Sequence, residues 1–340
     1  MIASLLNWLS RLCGIFSSLG AGATSTRRSS HKLALCTLED RLIPSGSPVI
    51  LSPAVPTIVK TDSSGDVLAA FGSQGLWEYS GGNWTQLSNS VATSINFDSS
   101  GNLYAGFGSE GLWEYLQGDW LQISNATPLL VQTDSNGNVF TNFQSFGLWE
   151  YTNQNWVQIS TSNATSITFD SNGNLYAGFG NLGLWQYLSG NWFQISNATP
   201  LVVQADTQGD IVANFQGFGV WQYTSGNWFQ LSNSNATAIT YDSNGNLYAA
   251  FGSEGLWEYG QGNWLQLSDA TPGLIQADSI GNVYASFQSF GFWEYDTTGN
   301  WTQLTFFPAS TSTADANGNV YAAILTGGLY EFTAQSPSPS

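Results

Sequence analysis

The sequence predicts an all-β fold: an eight-bladed β-propeller of four-stranded antiparallel blades, closed by an N-terminal strand. Three periodic motifs carry that expectation. A motif of the form Gly-Leu-Trp-Glu-Tyr begins at Gly75 and recurs at Gly111, Gly147, Gly183, Gly219, Gly255 and Gly291, always 36 residues apart. A weaker copy, Gly328-Leu-Tyr-Glu-Phe332, follows after 37, because Thr297-Thr298 lengthens one turn by a residue. An Asp-x-x-Gly-Asn/Asp motif starts at Asp62, Asp98, Asp134, Asp170, Asp206, Asp242, Asp278 and Asp315. A Trp-x-Gln motif starts at Trp84, Trp120, Trp156, Trp192, Trp228, Trp264 and Trp301. Fixed periods of this length mark repeat architectures.

Taken in chain order, residues 1–45 come first as a targeting or disordered segment. Their apolar stretch, Ile2–Leu19, is interrupted by Asn7, Arg11 and several Ser, too short and too polar for an integral membrane span. It also lacks the basic start of an ordinary signal peptide. Residues 47–52 align with a fourth strand: Pro48-Val-Ile-Leu51-Ser52 stands before Asp62 where Trp120-Leu-Gln-Ile123-Ser124 stands before Asp134. Eight copies of strands one to three against seven of strand four make this segment the missing strand of the last blade. The domain is therefore expected over 46–334, with a disordered tail over 335–340.

Within one unit, Ser166–Phe169 reads as strand one, Leu175–Phe179 as strand two, Leu184–Tyr187 as strand three and Trp192–Ser196 as strand four. Asn-Gly at 172–173 supplies the positive φ of a tight hairpin, and Asp170 can cap the turn's own amides. Alternation and the wealth of Trp, Tyr, Phe, Ile and Val favour sheet over helix. A second period supports an even blade count. Phe97, Phe169 and Tyr241 accompany small residues at Gly106, Gly178 and Ala250, whereas Thr133, Ala205 and Ala277 accompany Asn142, Asn214 and Ser286. Large opposite small suggests volume shared at a blade interface.

Composition narrows the chemistry. Of 340 residues 42% are hydrophobic but only 9% charged, so a large core is affordable and amides, hydroxyls and glycine must solvate the surface. Arg11, Arg27, Arg28, Lys32 and Arg41 precede position 46, leaving Lys60 alone against 21 acids beyond it. That body repels a phosphate backbone, which excludes nucleic acid as a partner. His31, Cys13 and Cys36 also precede position 46, so the body has no His triad, Cys nucleophile or zinc site. Only a two-carboxylate glycosidase remains formally open. No cofactor and no metal are expected, and a monomer is.

The unit Ser-Ile-Thr-Phe-Asp170-Ser-Asn-Gly-Asn-Leu-Tyr-Ala-Gly-Phe-Gly-x-x-Gly-Leu-Trp resembles the repeats of bacterial two-component-regulator-type propellers and, more loosely, NHL-type ones, over residues 47–332. That resemblance implies an extracytoplasmic sensor propeller. Separately, Leu33-Ala-Leu-Cys-Thr-Leu-Glu-Asp-Arg-Leu-Ile-Pro-Ser45 is similar to an N-terminal segment of exported planctomycete proteins, which implies a cell-surface or secreted location.

Two sets of residues are candidates for ligand binding. The first is a ring on the innermost strands: Lys60, Asn96, Gln132, Thr168, Gln204, Thr240, Gln276 and Thr313, whose alternate neighbours (Val59, Ile95, Val131) face the core. The bland reading is a channel holding water. The second is strand four: Trp84, Gln86, Trp120, Gln122, Trp156, Gln158, Trp192, Gln194, Trp228, Gln230, Trp264, Gln266, Trp301 and Gln303. Indole faces stack on sugar rings, but they also fill blade interfaces, each burying up to ~250 Å². The Asp turns read as self-capped rather than as cation loops. The Glu column (Glu78, Glu114, Glu150, Glu258, Glu294, Glu331) exchanges with Gln186 and Gln222, which points to hydrogen bonding rather than proton transfer. The functional expectation is a non-enzymatic, extracytoplasmic propeller that binds or displays a glycan or protein ligand. The alternatives are a purely structural surface module, or a sensor-type propeller lacking its signalling domain.

Overall fold

The computed structural model describes residues 48–206 and 208–333. The N-terminal segment with its export resemblance, and the tail over 335–340, lie outside the described residues. Within them the chain forms eight four-stranded antiparallel sheets. Blade one comprises Ile58–Thr61, Val67–Ala70, Leu76–Ser80 and Asn83–Ser88, and six further blades follow the same order. Blade eight is built from Ala309–Ala314, Val320–Ile324 and Gly328–Phe332, and its fourth strand is Val49–Ser52 from the beginning of the chain. The first strands of successive blades adjoin around the axis, so strand one is innermost.

Each blade junction is filled by the alternation within its strands. At the first, Leu68, Ala70 and Leu76 of blade one meet Ile95, Leu103 and Ala105 of blade two, all buried. At the last, Val59, Val67 and Ala69 of blade one meet Tyr321, Ala323 and Leu329 of blade eight. Burial on this scale stabilises by roughly 25 cal/mol per Å² of apolar surface removed from water.

On one face of the ring the eight Asp turns stand side by side. Asp170 Oδ1 accepts the amides of Asn172 and Asn174 at 2.9 Å, and Oδ2 accepts Asn174 Nδ2 at 2.8 Å. Gly173, at φ 79°, leaves its side open to Asn136 and Ser135 of the preceding turn, where a Cβ would come within 3.4 Å of Asn136 Nδ2. Gly65 faces Asp315 in the same way, so the ring of turns closes across the chain ends.

A bulge in every fourth strand supplies the most regular link between blades. In blade one Leu76 pairs with Ser88 and Trp77 with Gln86, leaving Leu87 extra. The Leu87 carbonyl accepts the indole N–H of Trp120 in the next blade at 2.8 Å. The bond repeats from Trp156 to Ile123, Trp192 to Ile159, Trp228 to Ile195 and Trp264 to Leu231, at 2.7 to 2.9 Å. The closing strand carries the same bulge between Ile50 and Ser52, and its Leu51 carbonyl accepts Trp84 Nε1 at 2.9 Å. It therefore takes over the pairing of a fourth strand and the acceptor half of its staple.

The pairwise alternation has a different cause from shared volume. Phe97 pairs with Leu103 at the turn end of its hairpin, whereas Gly106 lies at the other end. Gly106 is small because a Cβ there would come within 2.7 Å of Pro128, the first residue of the next blade. Asn142 instead bonds the lead-in of the blade after it, accepting the Ala164 amide at 3.1 Å and donating to the Ala164 carbonyl. Ser286 likewise bonds Ala309. Where Pro128 or Pro200 opens the next blade the facing residue is Gly; where Ala164 or Ala309 is met, it is an Asn or Ser that bonds the backbone.

Candidate functional site

The inner ring is where the alternation of strand one places it. Val59, Ile95, Val131 and Ile239 are buried, while Lys60 is exposed and Asn96, Gln132, Thr168, Gln204, Thr240 and Gln276 are half-buried. Thr313 is the exception: it is buried, with its hydroxyl 3.3 Å from that of Thr61. Some members bond across junctions, to one another or to a neighbouring strand-one residue. Asn96 Nδ2 donates to Gln132 Oε1 at 3.3 Å, and the Gln276 amide meets Ser312 Oγ at 2.7 Å. The side chains of Lys60, Thr168, Gln204 and Thr240 make no hydrogen bond or ion pair among the described residues. Lys60 is open to solvent, yet the ring walls strip bulk water from around its ammonium, and that loss of solvation lowers its pKa. It faces Gln204 from the opposite side of an eight-membered ring.

The strand-four rows are committed to the frame. The Trp84 ring lies between Phe71 and Tyr79, with centroids 5.6 and 5.2 Å away, and its N–H is spent on the Leu51 carbonyl. Trp120, Trp156, Trp192, Trp228 and Trp264 repeat this arrangement. Trp301 does not. Its Nε1 is buried without a partner among the described residues, and its ring packs on Trp293, Phe287 and Tyr295. Gln86, Gln122, Gln158, Gln194, Gln230, Gln266 and Gln303 each donate Nε2 to the carbonyl at the tip of the loop joining strands two and three, at 2.7 to 3.1 Å.

In blades two and seven the Glu column belongs to a hydrogen-bond set in which a strand-two tyrosine stands between two acids, whereas Leu68 and Phe140 stand opposite Glu78 and Glu150. Tyr104 Oη is 3.3 Å from Asp98 Oδ2 and 3.1 Å from Glu114 Oε1; Tyr284 Oη is 3.1 Å from Asp278 Oδ2 and 3.3 Å from Glu294 Oε1. One phenol proton cannot serve two carboxylates, and the crowding is felt at Glu294. Burial pushes its pKa up to about 7, Tyr284 opposes the rise, and Asp278 and Asp296 add to it. Where the column carries Gln186, its Nε2 donates to Tyr176 Oη at 2.8 Å and the conflict disappears.

A cleft of about 1200 Å³ opens across blades five, six and seven on the face of the Asp turns. Sequence reading did not find it, although the signal was present as departures from the repeat. Tyr241 stands where other blades have Phe, Thr or Ala; Gly260 where they have Ser80, Leu116, Thr152, Leu188 or Thr224; Ile280 where they have Ser, Asn or Gln. The lengthened turn after Tyr295 is itself an Asp turn, with Asp296 Oδ1 accepting the amides of Thr298 and Asn300 at 2.9 Å. All four departures line the one cleft. Among the described residues no group of three metal-ligating side chains converges, and no helix is long and apolar enough to cross a membrane.

No family model matches the chain, and no curated protein matches it in sequence. Solved structures do. The C-terminal WD40 domain of Sif2 superposes with a TM-score of 0.67 at 7% identity, over 87% of this chain and 100% of that one. The extracellular domain of the BT4673 hybrid two-component system from B. thetaiotaomicron gives 0.54 at 19% identity, over 88% of this chain and 40% of that one. Virginiamycin B lyase from Staphylococcus aureus gives 0.51 at 11%, over 85% and 99%. The chain is similar to these proteins in fold. It is a β-propeller.

Proposed function

We propose that the protein is a non-catalytic, extracytoplasmic binding module whose ligand is a glycan or a protein. The observation that carries this is the inner ring, where Lys60, Thr168, Gln204 and Thr240 hold polar groups without partners among the described residues. Unpaired donors and acceptors on a rigid wall offer a ligand hydrogen bonds with little ordering cost. Catalysis has no comparable support. The Asp of each repeat caps its own turn, and Glu114 and Glu294 meet it at a shared tyrosine, so neither arrangement leaves a free acid and base facing one another. Fold likeness to the extracellular domain of a two-component system supports a location outside the cytoplasm.

The test uses the single lysine of the body. Reductive methylation with ¹³C-formaldehyde keeps its charge and gives one Lys60 signal, which Lys60→Gln identifies. Soluble glycans and cell-surface peptides should shift that signal saturably, and Gln204→Ala should weaken the response. A Lys60 signal unmoved by every ligand would make the channel a water-filled axis and remove the ring as a binding site.

A further inference from the structure

We propose that the cleft across blades five, six and seven binds a neutral oligosaccharide. The inference rests on the binding-module reading and assigns it a second place and a ligand chemistry. The repeat provides the first argument. Six blades reproduce one another closely, and copying alone would leave eight equivalent junctions. Instead Tyr241, Gly260, Ile280 and Thr297, each absent from the corresponding position of the other blades, meet in one cavity. Gly260 removes a side chain from the floor, and the lengthened turn raises a wall on the blade-seven side, where the Thr297 amide donates to Asn282 Oδ1 at 3.3 Å.

Chemistry gives the ligand class. The lining offers carboxylates at Asp206, Glu258 and Asp296, amides at Gln222 and Asn263, and no cation. Lys60, the only basic residue among the described ones, lies in blade one. Anionic sugars are therefore repelled, whereas the hydroxyls of a neutral sugar find acceptors in the carboxylates and donors in the amides and phenols. Tyr241 has no hydrogen-bond partner among the described residues, and burial with Asp206 and Asp210 nearby holds its phenol protonated. It is a donor waiting for an acceptor. Tyr241 and Tyr259 also bring aromatic rings to the lining. A volume of about 1200 Å³ exceeds what one sugar ring fills, so several residues of a chain would occupy it.

The repeat also supplies the test. Gly260→Leu restores the residue of blades two and four. The backbone there has no positive φ, and a Cβ would meet only side chains, Asn246 Oδ1 at 2.9 Å and Glu258 Oε1 at 3.9 Å. Tyr241→Phe restores blades two and four at its own position. Wild-type protein and both variants would be applied to an array of neutral and uronate-bearing oligosaccharides, with melting temperatures measured in parallel. Wild type should retain neutral members and pass over the uronates. Gly260→Leu should lower retention by about tenfold or more and Tyr241→Phe by about threefold, with melting unchanged, since one lost contact changes affinity on that scale. Retention that survives Gly260→Leu in a folded protein would overturn the cleft while leaving the binding-module reading intact. A wild type that retains no neutral member would overturn it too, and a Lys60 response to peptides would then show that the module binds protein instead.

Discussion

Six of the eight blade junctions are stapled by an indole on a bulge carbonyl, from Trp84 on Leu51 round to Trp264 on Leu231. The two junctions flanking blade seven are not. Between blades six and seven the donor, Trp301 Nε1, is buried without a partner; between seven and eight Pro48 stands where the Trp should be. The bulge in blade seven is intact, since Phe292 pairs with Thr305 and Trp293 with Gln303. What has changed is the approach to strand four, which carries the extra residue of the Asp296 turn. A one-residue insertion at a loop thus removes a bond at a junction. The cleft overlaps this sector at the junction of blades six and seven, where the lost staple and the lengthened turn coincide.

The comparison can be broken most severely at the closing strand. Deleting 1–56 removes Val49–Ser52 with the Leu51 staple, and leaves Gly328–Phe332 as an open edge beside a sector already short of two staples. The truncated protein should associate or lose its cooperative melt, whereas deletion of 1–45 should leave a monomer with unchanged melting by light scattering and circular dichroism. Equal behaviour of the two truncations would show that the ring closes some other way.

A smaller effect separates the sectors directly. Trp264→Phe loses a bonded N–H and strands the Leu231 carbonyl, which should cost about 1–3 kcal/mol in urea unfolding. Trp301→Phe removes a donor that is already unsatisfied and should cost about 1 kcal/mol less than its counterpart. Equal losses would mean that ring packing, and not the staple, decides these junctions.

Glu294 sharpens the contrast through pH. Its folded pKa of about 7 lies above the ordinary value of 4.5, so the folded state holds the proton more tightly than the unfolded one. The stabilisation is complete below about 4.5 and is lost as pH rises through about 7. Glu294→Gln should flatten that decline and raise stability at pH ~8 by about 1–2 kcal/mol. The same change at blade four is already present as Gln186. A melting profile with an undiminished slope in the variant would place the titration elsewhere.

Salt should act least and should not distinguish the sectors. With 21 acids beyond position 45 against one Lys, screening should raise the melting temperature by a few degrees between ~10 and ~300 mM salt. A flat response would show that the Asp turns, each neutralised by its own amides, already contain their charge.

Periodicity made the blades legible, because a strand's two faces and a turn's Asp and Gly are local demands that every repeat restates. Closure was legible by the same arithmetic: Leu51-Ser52 matches Ile123-Ser124 residue for residue. The polar ring followed from alternation with Val59 and Ile95. The staples were not legible, because the Leu87 carbonyl becomes free only through a bulge, and its acceptor role appears only when Trp120 of the next blade is set beside it. The tyrosine between Asp98 and Glu114 escaped for a related reason, since three separate strands or turns converge on it. The cleft is formed by a missing side chain at Gly260 and an added residue near Thr297, 37 positions on; each looks like drift until the ring brings them together.

The origin of the closing strand also sets an order of events in synthesis. Val49–Ser52 leaves the ribosome well ahead of its partner Gly328–Phe332, which is roughly 280 residues behind and, at ordinary rates of translation, roughly 14–56 s later. Throughout that interval the nascent chain can stack blades one to seven, but it cannot join them. The earliest strand to be made is the last to be paired, and its exposed Val49 and Ile50 must avoid every other open edge in the meantime. A ring fastened in this way is cut off from partial success: until the final residues of blade eight arrive, the molecule is an arc with two sticky ends.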